Sequence, residues 1–149
     1  MVARDVMHEG CTCAKAHDTV ADAARTMSIE GFGAMPICGE NDKLVGMLTD
    51  RDITVRAVAQ GKGPQTAVRD VMSEEVKYCF EDEDLAAVTA NMGDIRVRRL
   101  PVLSREKRLV GIVSLGDIVN TGRNARQAGQ ALAGISQPGG EHSQADEAH

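Results

Sequence analysis

The chain of 149 residues repeats itself. With a shift of 65 residues and no gap, positions 4–53 match positions 69–118 at 13 places, whereas unrelated sequences of average composition would share about 3. The matches include an opening Arg-Asp-Val-Met and a later Leu-Val-Gly, at residues 4–7 and 44–46 of the first copy. Two copies of one small unit, each marginal by itself, are expected to bury their apolar faces against each other.

Both copies show the same order of apolar and polar segments, which predicts β-α-β-β-α. Short β-prone stretches precede Asp18 and Asp84, and each of these aspartates is expected to cap a helix. Apolar residues three or four apart then predict one buried helix stripe per copy, at Val20, Ala23, Ala24 and Met27, and at Leu85, Val88, Met92 and Ile95. A β-hairpin follows in each copy, with strands at residues 35–38 and 44–48, and at 100–103 and 109–113.

A second helix begins near Asp50 in the first copy and near Gly116 in the second, and Gly61 to Pro64 end the first of these. We predict a mixed α/β fold with one repeat at residues 2–62 and another at 67–123. Residues 124–149 are rich in Gln, Ala, Gly and Ser, which predicts a tail that changes from weakly helical to disordered.

Composition excludes several classes of function. A net charge of −5 and three aromatic residues argue against nucleic-acid binding, which needs clustered cations or stacking platforms. Apolar runs are far shorter than the ~20 residues of a spanning helix, and the first ten residues carry charges where a signal peptide would be apolar. We therefore expect a cytoplasmic protein, and the absence of any base-and-orienter set or Rossmann or phosphate-loop pattern predicts that it is not an enzyme.

Each copy ends its last strand with Gly-x-x-[Thr/Ser]-x-x-Asp, at residues 46–52 and 111–117. A hydroxyl and backbone amides at a helix start can hold a phosphate, and the carboxylate three residues later can accept both hydroxyls of a ribose. The same spacing is typical of a capping box, in which both side chains satisfy only their own helix. The two interpretations remain open on spacing alone.

These features together resemble a pair of cystathionine β-synthase (CBS) domains, also called a Bateman module. The resemblance covers about residues 2–122 and rests on the tandem copy, the Asp-Val-Met openings, Met-Pro-Ile and Leu-Pro-Val, and the two turns. It extends to stand-alone bacterial stress and hypoxic-response CBS proteins. It implies two repeats packed sheet to sheet about a pseudo-twofold axis, with clefts between them that bind AMP, ADP, ATP, NAD or S-adenosylmethionine. In that family the Asp contacts the ribose, and the Ser or Thr lies near the phosphates.

Carried onto this sequence, the resemblance makes the second turn the better site. It groups Ser114 and Asp117 with Arg98 and Arg99, since Arg suits bidentate phosphate contact. Adjacent strand residues point to opposite faces, and a basic edge strand that only prevents aggregation is the alternative. In the first copy, Thr49 and Asp52 form the second site, where Gly33-Ala34 replace the Arg pair and a phosphate would depend on Arg51, Lys77 or the helix end. This site is expected to be weaker, empty or selective for a less charged adenosyl ligand.

The leading interpretation is a non-enzymatic regulatory module that binds an adenine nucleotide as a regulatory ligand rather than a cofactor. We expect a homodimer that acts on a protein effector. The alternative is a redox- or stress-responsive structural dimer that binds no nucleotide and acts through a protein partner.

The cysteines raise two further hypotheses. His8, Cys11, Cys13 and His17 lie close in sequence, but their spacing fits no standard zinc pattern, so no metal is expected. Cys13 and Cys38 are expected on neighbouring strands through a right-handed crossover, which makes them a candidate disulfide. Two buried thiols are the alternative.

Overall fold

The computed structural model describes residues 1–10 and 12–137. Within it the chain divides into two compact units. We call residues 1–10, 77–106 and 110–137 the terminal unit, and residues 12–76 and 107–109 the central unit. The opening segment of each repeat thus belongs with the body of the other repeat.

In chain order, strands and α-helices follow the pattern β-α-β-β-α twice, and a fifth α-helix comes after them. The strands are β1 His8–Glu9, β2 Ala34–Cys38, β3 Leu44–Thr49, β4 Cys79–Phe80, β5 Arg99–Leu103 and β6 Leu109–Ser114. The α-helices are α1 Val20–Glu30, α2 Asp50–Asp52, α3 Leu85–Ile95, α4 Leu115–Asn120 and α5 Ala125–Ile135, and α2 continues as a π-helix over Ile53–Val58. Short 3-10 turns lie at Ala3–Asp5, Glu40–Asp42 and Val68–Asp70.

The two units contain different sheets. The terminal unit has a four-stranded sheet in the order β1-β6-β5-β4, with β1 antiparallel to β6 and β4 parallel to β5. The central unit has the antiparallel hairpin β2-β3, in which Met35 lies opposite Leu48. The mixed α/β class and the hairpin predicted at residues 35–48 are confirmed, since two short apolar segments on either side of a polar turn specify such a hairpin locally.

Equivalent backbone hydrogen bonds anchor the two opening segments, one in each unit. Ala3 N donates to Glu83 O at 3.0 Å, and Val68 N donates to Asp18 O at 2.8 Å, a pair related by the 65-residue shift. Glycine permits the closest approach: a Cβ on Gly111 would lie 2.6 Å from His8 O, and one on Gly46 would lie 3.0 Å from Ser73 O. In each unit, the glycine of Leu-Val-Gly therefore lies against the backbone of the residue that follows Arg-Asp-Val-Met.

Helix capping differs from prediction at one place. Asp84 caps α3 as predicted, accepting from Ala86 N, but Thr19 rather than Asp18 caps α1 by accepting from Asp22 N at 3.1 Å. The Asp18 carboxylate instead accepts from Lys15 N. Along the predicted stripe of α1 the structure buries all but Ala24, which is exposed.

Helix α5 lies where the weakly helical tail is predicted, and it packs against α3. Its buried side chains join the core of the terminal unit, at Ala128, Ala131 and Ile135. The remaining part of that prediction, residues 138–149, lies outside the described residues.

Candidate functional site

Both Gly-x-x-[Thr/Ser]-x-x-Asp turns form capping boxes. Thr49 Oγ1 accepts from Asp52 N at 3.0 Å while Asp52 Oδ2 accepts from Thr49 N at 2.9 Å. Ser114 and Asp117 form the same pair of bonds at 3.1 and 3.0 Å. The capping interpretation therefore describes the local structure correctly, and it uses only Oδ2 of each carboxylate.

The second carboxylate oxygen of Asp117 contacts a histidine. His8 Nε2 lies 3.0 Å from Asp117 Oδ1, and the His8 side chain is 76% exposed while that of Asp117 is 20% exposed. Strand β1 places His8 there because it pairs with β6, with His8 opposite Ile112. Sequence reasoning missed this contact, since His8 and Asp117 are separated by more than a hundred residues.

The equivalent turn in the central unit has a different neighbour. Position 73 corresponds to His8 and is Ser73, whose backbone exchanges two 2.9 Å hydrogen bonds with Met47. Here Asp52 Oδ1 lies 3.9 Å from Arg56 Nε, one helical turn later. The two capping boxes thus share their local geometry but face different basic side chains, His8 and Arg56.

The predicted arginines adjoin the second capping box through the backbone. Arg98 O accepts from Leu115 N at 2.8 Å, Arg99 begins β5, and both side chains are exposed. The structure therefore brings Arg98 beside the turn that contains Ser114, within the terminal unit. Arg side chains at this position add positive charge near a turn that could face a phosphate.

A carboxylate occupies the corresponding position in the first copy. Gly33 O accepts from Asp50 N at 2.9 Å, and a Cβ on Gly33 would lie 2.8 Å from Asp50 Oδ2. Sequence reasoning missed Asp50, although the 65-residue shift aligns it with Leu115 and aligns Gly33 with Arg98. The first turn therefore has an added negative charge where the second has an arginine.

Lys77, one of the two cations predicted for the Thr49–Asp52 site, belongs to the terminal unit, whereas Thr49 and Asp52 belong to the central unit. Its role remains a prediction.

The cysteine prediction concerns two side chains that lie in contact. Ala14 and Ile37 form a parallel bridge, and the free thiols of Cys13 and Cys38 lie close enough for Cys13 to affect the ionisation of Cys38. Burial, followed by the contact with Cys13, raises the pKa of Cys38 to about 12. Burial, with a smaller effect of Glu83, likewise raises the pKa of Cys79 to about 12. Cys38 and Cys79 are therefore protonated at neutral pH.

Within residues 1–10 and 12–137, no three His, Cys, Asp or Glu side chains are grouped as a metal site. Cys11, one of the four residues considered for a metal, lies outside the described residues. The same described parts contain no helix with the length and apolar character needed to cross a bilayer.

Comparison with protein families gives two matches along the chain. The model for the CBS domain matches residues 3–58 and again residues 68–123. Hypoxic response protein 1 of Mycobacterium tuberculosis is 43% identical over 117 residues, which cover 78% of this chain and 81% of that protein. CBS domain-containing protein YhcV of Bacillus subtilis is 38% identical over 133 residues, covering 89% of this chain and 94% of that protein.

Solved structures show the same fold. A crystal structure of the hypoxic response protein with two coordinated zinc ions aligns with a TM-score of 0.74 and 40% identity, covering 80% of this chain and 98% of that one. The CBS domain pair of protein MJ0100, in complex with 5′-methylthioadenosine and S-adenosyl-L-methionine, aligns with a TM-score of 0.73 and 28% identity, covering 81% of this chain and 98% of that one.

Proposed function

The chain belongs to the CBS domain family, and on that premise we propose that it is a non-enzymatic regulatory module that binds an adenosyl ligand. The MJ0100 pair, whose fold this chain shares, holds two such ligands. The similarity to hypoxic response protein 1 supports a role in a stress response. A cytoplasmic location remains the sequence-based prediction.

The main proposed site consists of Arg98, Arg99, Ser114 and Asp117. One observation carries it: the 2.8 Å bond from Leu115 N to Arg98 O places an arginine beside the capping box of Ser114 and Asp117. In this proposal Asp117 accepts the ribose hydroxyls, and an Arg side chain contacts a phosphate. Ligands with at least one phosphate, such as AMP, ADP, ATP or NAD, match that charge.

The second proposed site consists of Thr49 and Asp52 in the central unit. Asp50 lies against Gly33 where the main site has Arg98. A carboxylate there repels phosphate, so this site is assigned to a less negatively charged adenosyl ligand such as S-adenosylmethionine.

The output of the module is proposed to be a change in a homodimer or in its contact with a protein effector. Apolar side chains on the helices of the central unit support association, since Ile29 is 82% exposed and Val58 is 68% exposed. A closed twofold dimer is the commonest way to cover such a face. The ligand can shift this equilibrium only by its difference in affinity for the two states. Light scattering that gave the monomer mass of 15.9 kDa at micromolar protein would contradict the dimer.

Thermal shift and calorimetry with AMP, ADP, ATP, NAD and S-adenosylmethionine test the ligand. A ligand at a hundredfold excess over its dissociation constant should stabilise the fold by about 2.7 kcal/mol. If none of the five, at millimolar concentration, changes the melting temperature or gives heat, nucleotide binding is wrong. The alternative, a redox- or stress-responsive structural dimer, then takes its place.

A further inference from the structure

The contact between His8 and Asp117 involves Oδ1, the carboxylate oxygen that takes no part in the capping box. Ser114 N occupies Oδ2 at 3.0 Å, and His8 Nε2 occupies Oδ1 at the same distance. A ribose that binds this carboxylate through both hydroxyls needs to donate to Oδ1 as well. The imidazole and the ribose are therefore competing donors for one oxygen.

Exposure makes the exchange physically easy. The His8 side chain is 76% exposed, so its ring can rotate into water without opening the core. Its backbone is held separately, by the pairing of β1 with β6. The side chain can thus leave Asp117 while the strand stays in place.

The Thr49–Asp52 site lacks this competitor. Ser73 stands at the position equivalent to His8, and its side chain is too short to replace an imidazole at the carboxylate of Asp52. Arg56 Nε lies 3.9 Å from Asp52 Oδ1, a longer distance than the 3.0 Å between His8 Nε2 and Asp117 Oδ1. The presence of an imidazole at only one of the two sites therefore depends on a side chain from an opening segment.

We propose that His8 is a determinant of ligand affinity at the Ser114–Asp117 site, where it competes with the ribose hydroxyls for Asp117 Oδ1. The inference rests on the proposed adenosyl function and identifies His8 as the residue that limits ligand affinity at this site. The Arg pair raises the affinity of this site for phosphate, while His8 lowers its affinity for the ribose. A ligand that binds must displace the His8 imidazole. Occupancy of the site is therefore linked to release of the His8 side chain from Asp117.

Titration calorimetry with AMP compares wild type with His8→Ser, which gives position 8 the residue that stands at the equivalent position 73. Because a solvent-accessible hydrogen bond between side chains contributes a few tenths to about 1 kcal/mol, His8→Ser should lower the dissociation constant of AMP about two- to fivefold. Ser73→Ala, at the equivalent position of the other copy, is the matched control and should leave that constant unchanged. An unchanged or higher dissociation constant in His8→Ser overturns the proposal.

A second ligand separates competition from simple obstruction. 2′,3′-Dideoxyadenosine monophosphate lacks both hydroxyls, so it should bind wild type and His8→Ser equally well. If His8→Ser improves both ligands by the same factor, His8 only blocks access, and the competition is wrong. If neither wild type nor His8→Ser gives heat with AMP, 5′-methylthioadenosine or S-adenosylmethionine, the proposed function fails and the inference fails with it.

Discussion

Gly134 and Gly93 bring helices α5 and α3 into backbone contact. A Cβ on Gly134 would lie 2.6 Å from Gly93 O, and a Cβ on Gly93 would lie 2.8 Å from the Cα of Ala131. Real Cβ atoms do not approach backbone atoms this closely. The two helices can therefore pack at this distance only because both positions lack a side chain.

Gly134→Ala should destabilise the terminal unit, because the added methyl group forces α5 away from α3. Overpacking of this kind costs about 1–3 kcal/mol, measured as the free energy of unfolding in urea. Gly129→Ala is the control within α5, because no described atom outside its local helix lies within 4 Å of a Cβ there. That variant should gain about 0.5–1 kcal/mol from helix propensity, and equal effects of the two substitutions would contradict the contact.

The position of α5 could be predicted from the sequence, but its packing could not. Residues 125–135 contain Gly and Ala where a buried helix more often has large apolar side chains. Composition alone therefore indicated a weak helix. Burial of Ala128 and Ala131 instead depends on close backbone approach, which becomes visible only when α3 is placed beside α5.

The site shows the same division between local and distant information. The capping boxes at Ser114 and Thr49 follow from spacing within three residues, so the sequence could predict them. The contact of His8 with Asp117 depends on which of the two hairpins pairs with residues 8–9. The sequence repeat does not specify which hairpin that is. Thr19 replaces Asp18 as a cap for a related reason, since Asp18 O accepts from Val68 N and Val20 N donates to Thr66 O.

Asp117→Ala should weaken AMP binding more than Asp52→Ala does, because Arg98 adjoins Ser114 whereas Asp50 lies against Gly33. Both substitutions remove a capping interaction, so each should also lower the free energy of unfolding by about 1 kcal/mol. Calorimetry and urea unfolding on the same two variants separate the effects. Equal loss of stability without any change in AMP affinity would leave Asp117 with a capping role only.

Stability should fall as the pH rises above 9. The pKa of Cys38 and that of Cys79 are raised from the ordinary value of 9.0 to about 12 in the folded protein, mainly by burial. Between these values the unfolded chain releases thiol protons that the folded chain keeps, so the free energy of unfolding decreases with pH. At pH 10 the loss is about 1.4 kcal/mol per thiol.

Urea unfolding at pH 8 and pH 10, with reductant present, measures this effect. Cys79→Ala should be less stable than wild type at pH 8, because it leaves a small cavity, but it should lose less stability between the two pH values. The same loss in wild type and in Cys79→Ala would show that this thiol does not contribute to the pH dependence.

Mild oxidation should join Cys13 to Cys38, because the parallel bridge between Ala14 and Ile37 brings their free thiols close together. Peroxide oxidises one thiol to a sulfenic acid with release of water, and the other thiol then condenses with it and releases a second water. Cys13 is the more accessible of the two, while the raised pKa of Cys38 makes it a poor nucleophile at neutral pH, so the bridge should form faster as the pH rises. An unstrained bridge over this loop of about 25 residues would stabilise the fold by about 3 kcal/mol.

Peptide mapping after peroxide treatment, with free thiols blocked before digestion, identifies the bridge. Cys13→Ser should abolish both the crosslinked peptide and the gain in the free energy of unfolding that oxidation produces. The positions 65 residues later are Tyr78 and Leu103, so any such bridge stiffens only the central unit. Recovery of Cys13 and Cys38 as separately blocked thiols, or of Cys11 bonded to Cys38, would show that their contact does not lead to a disulfide between them.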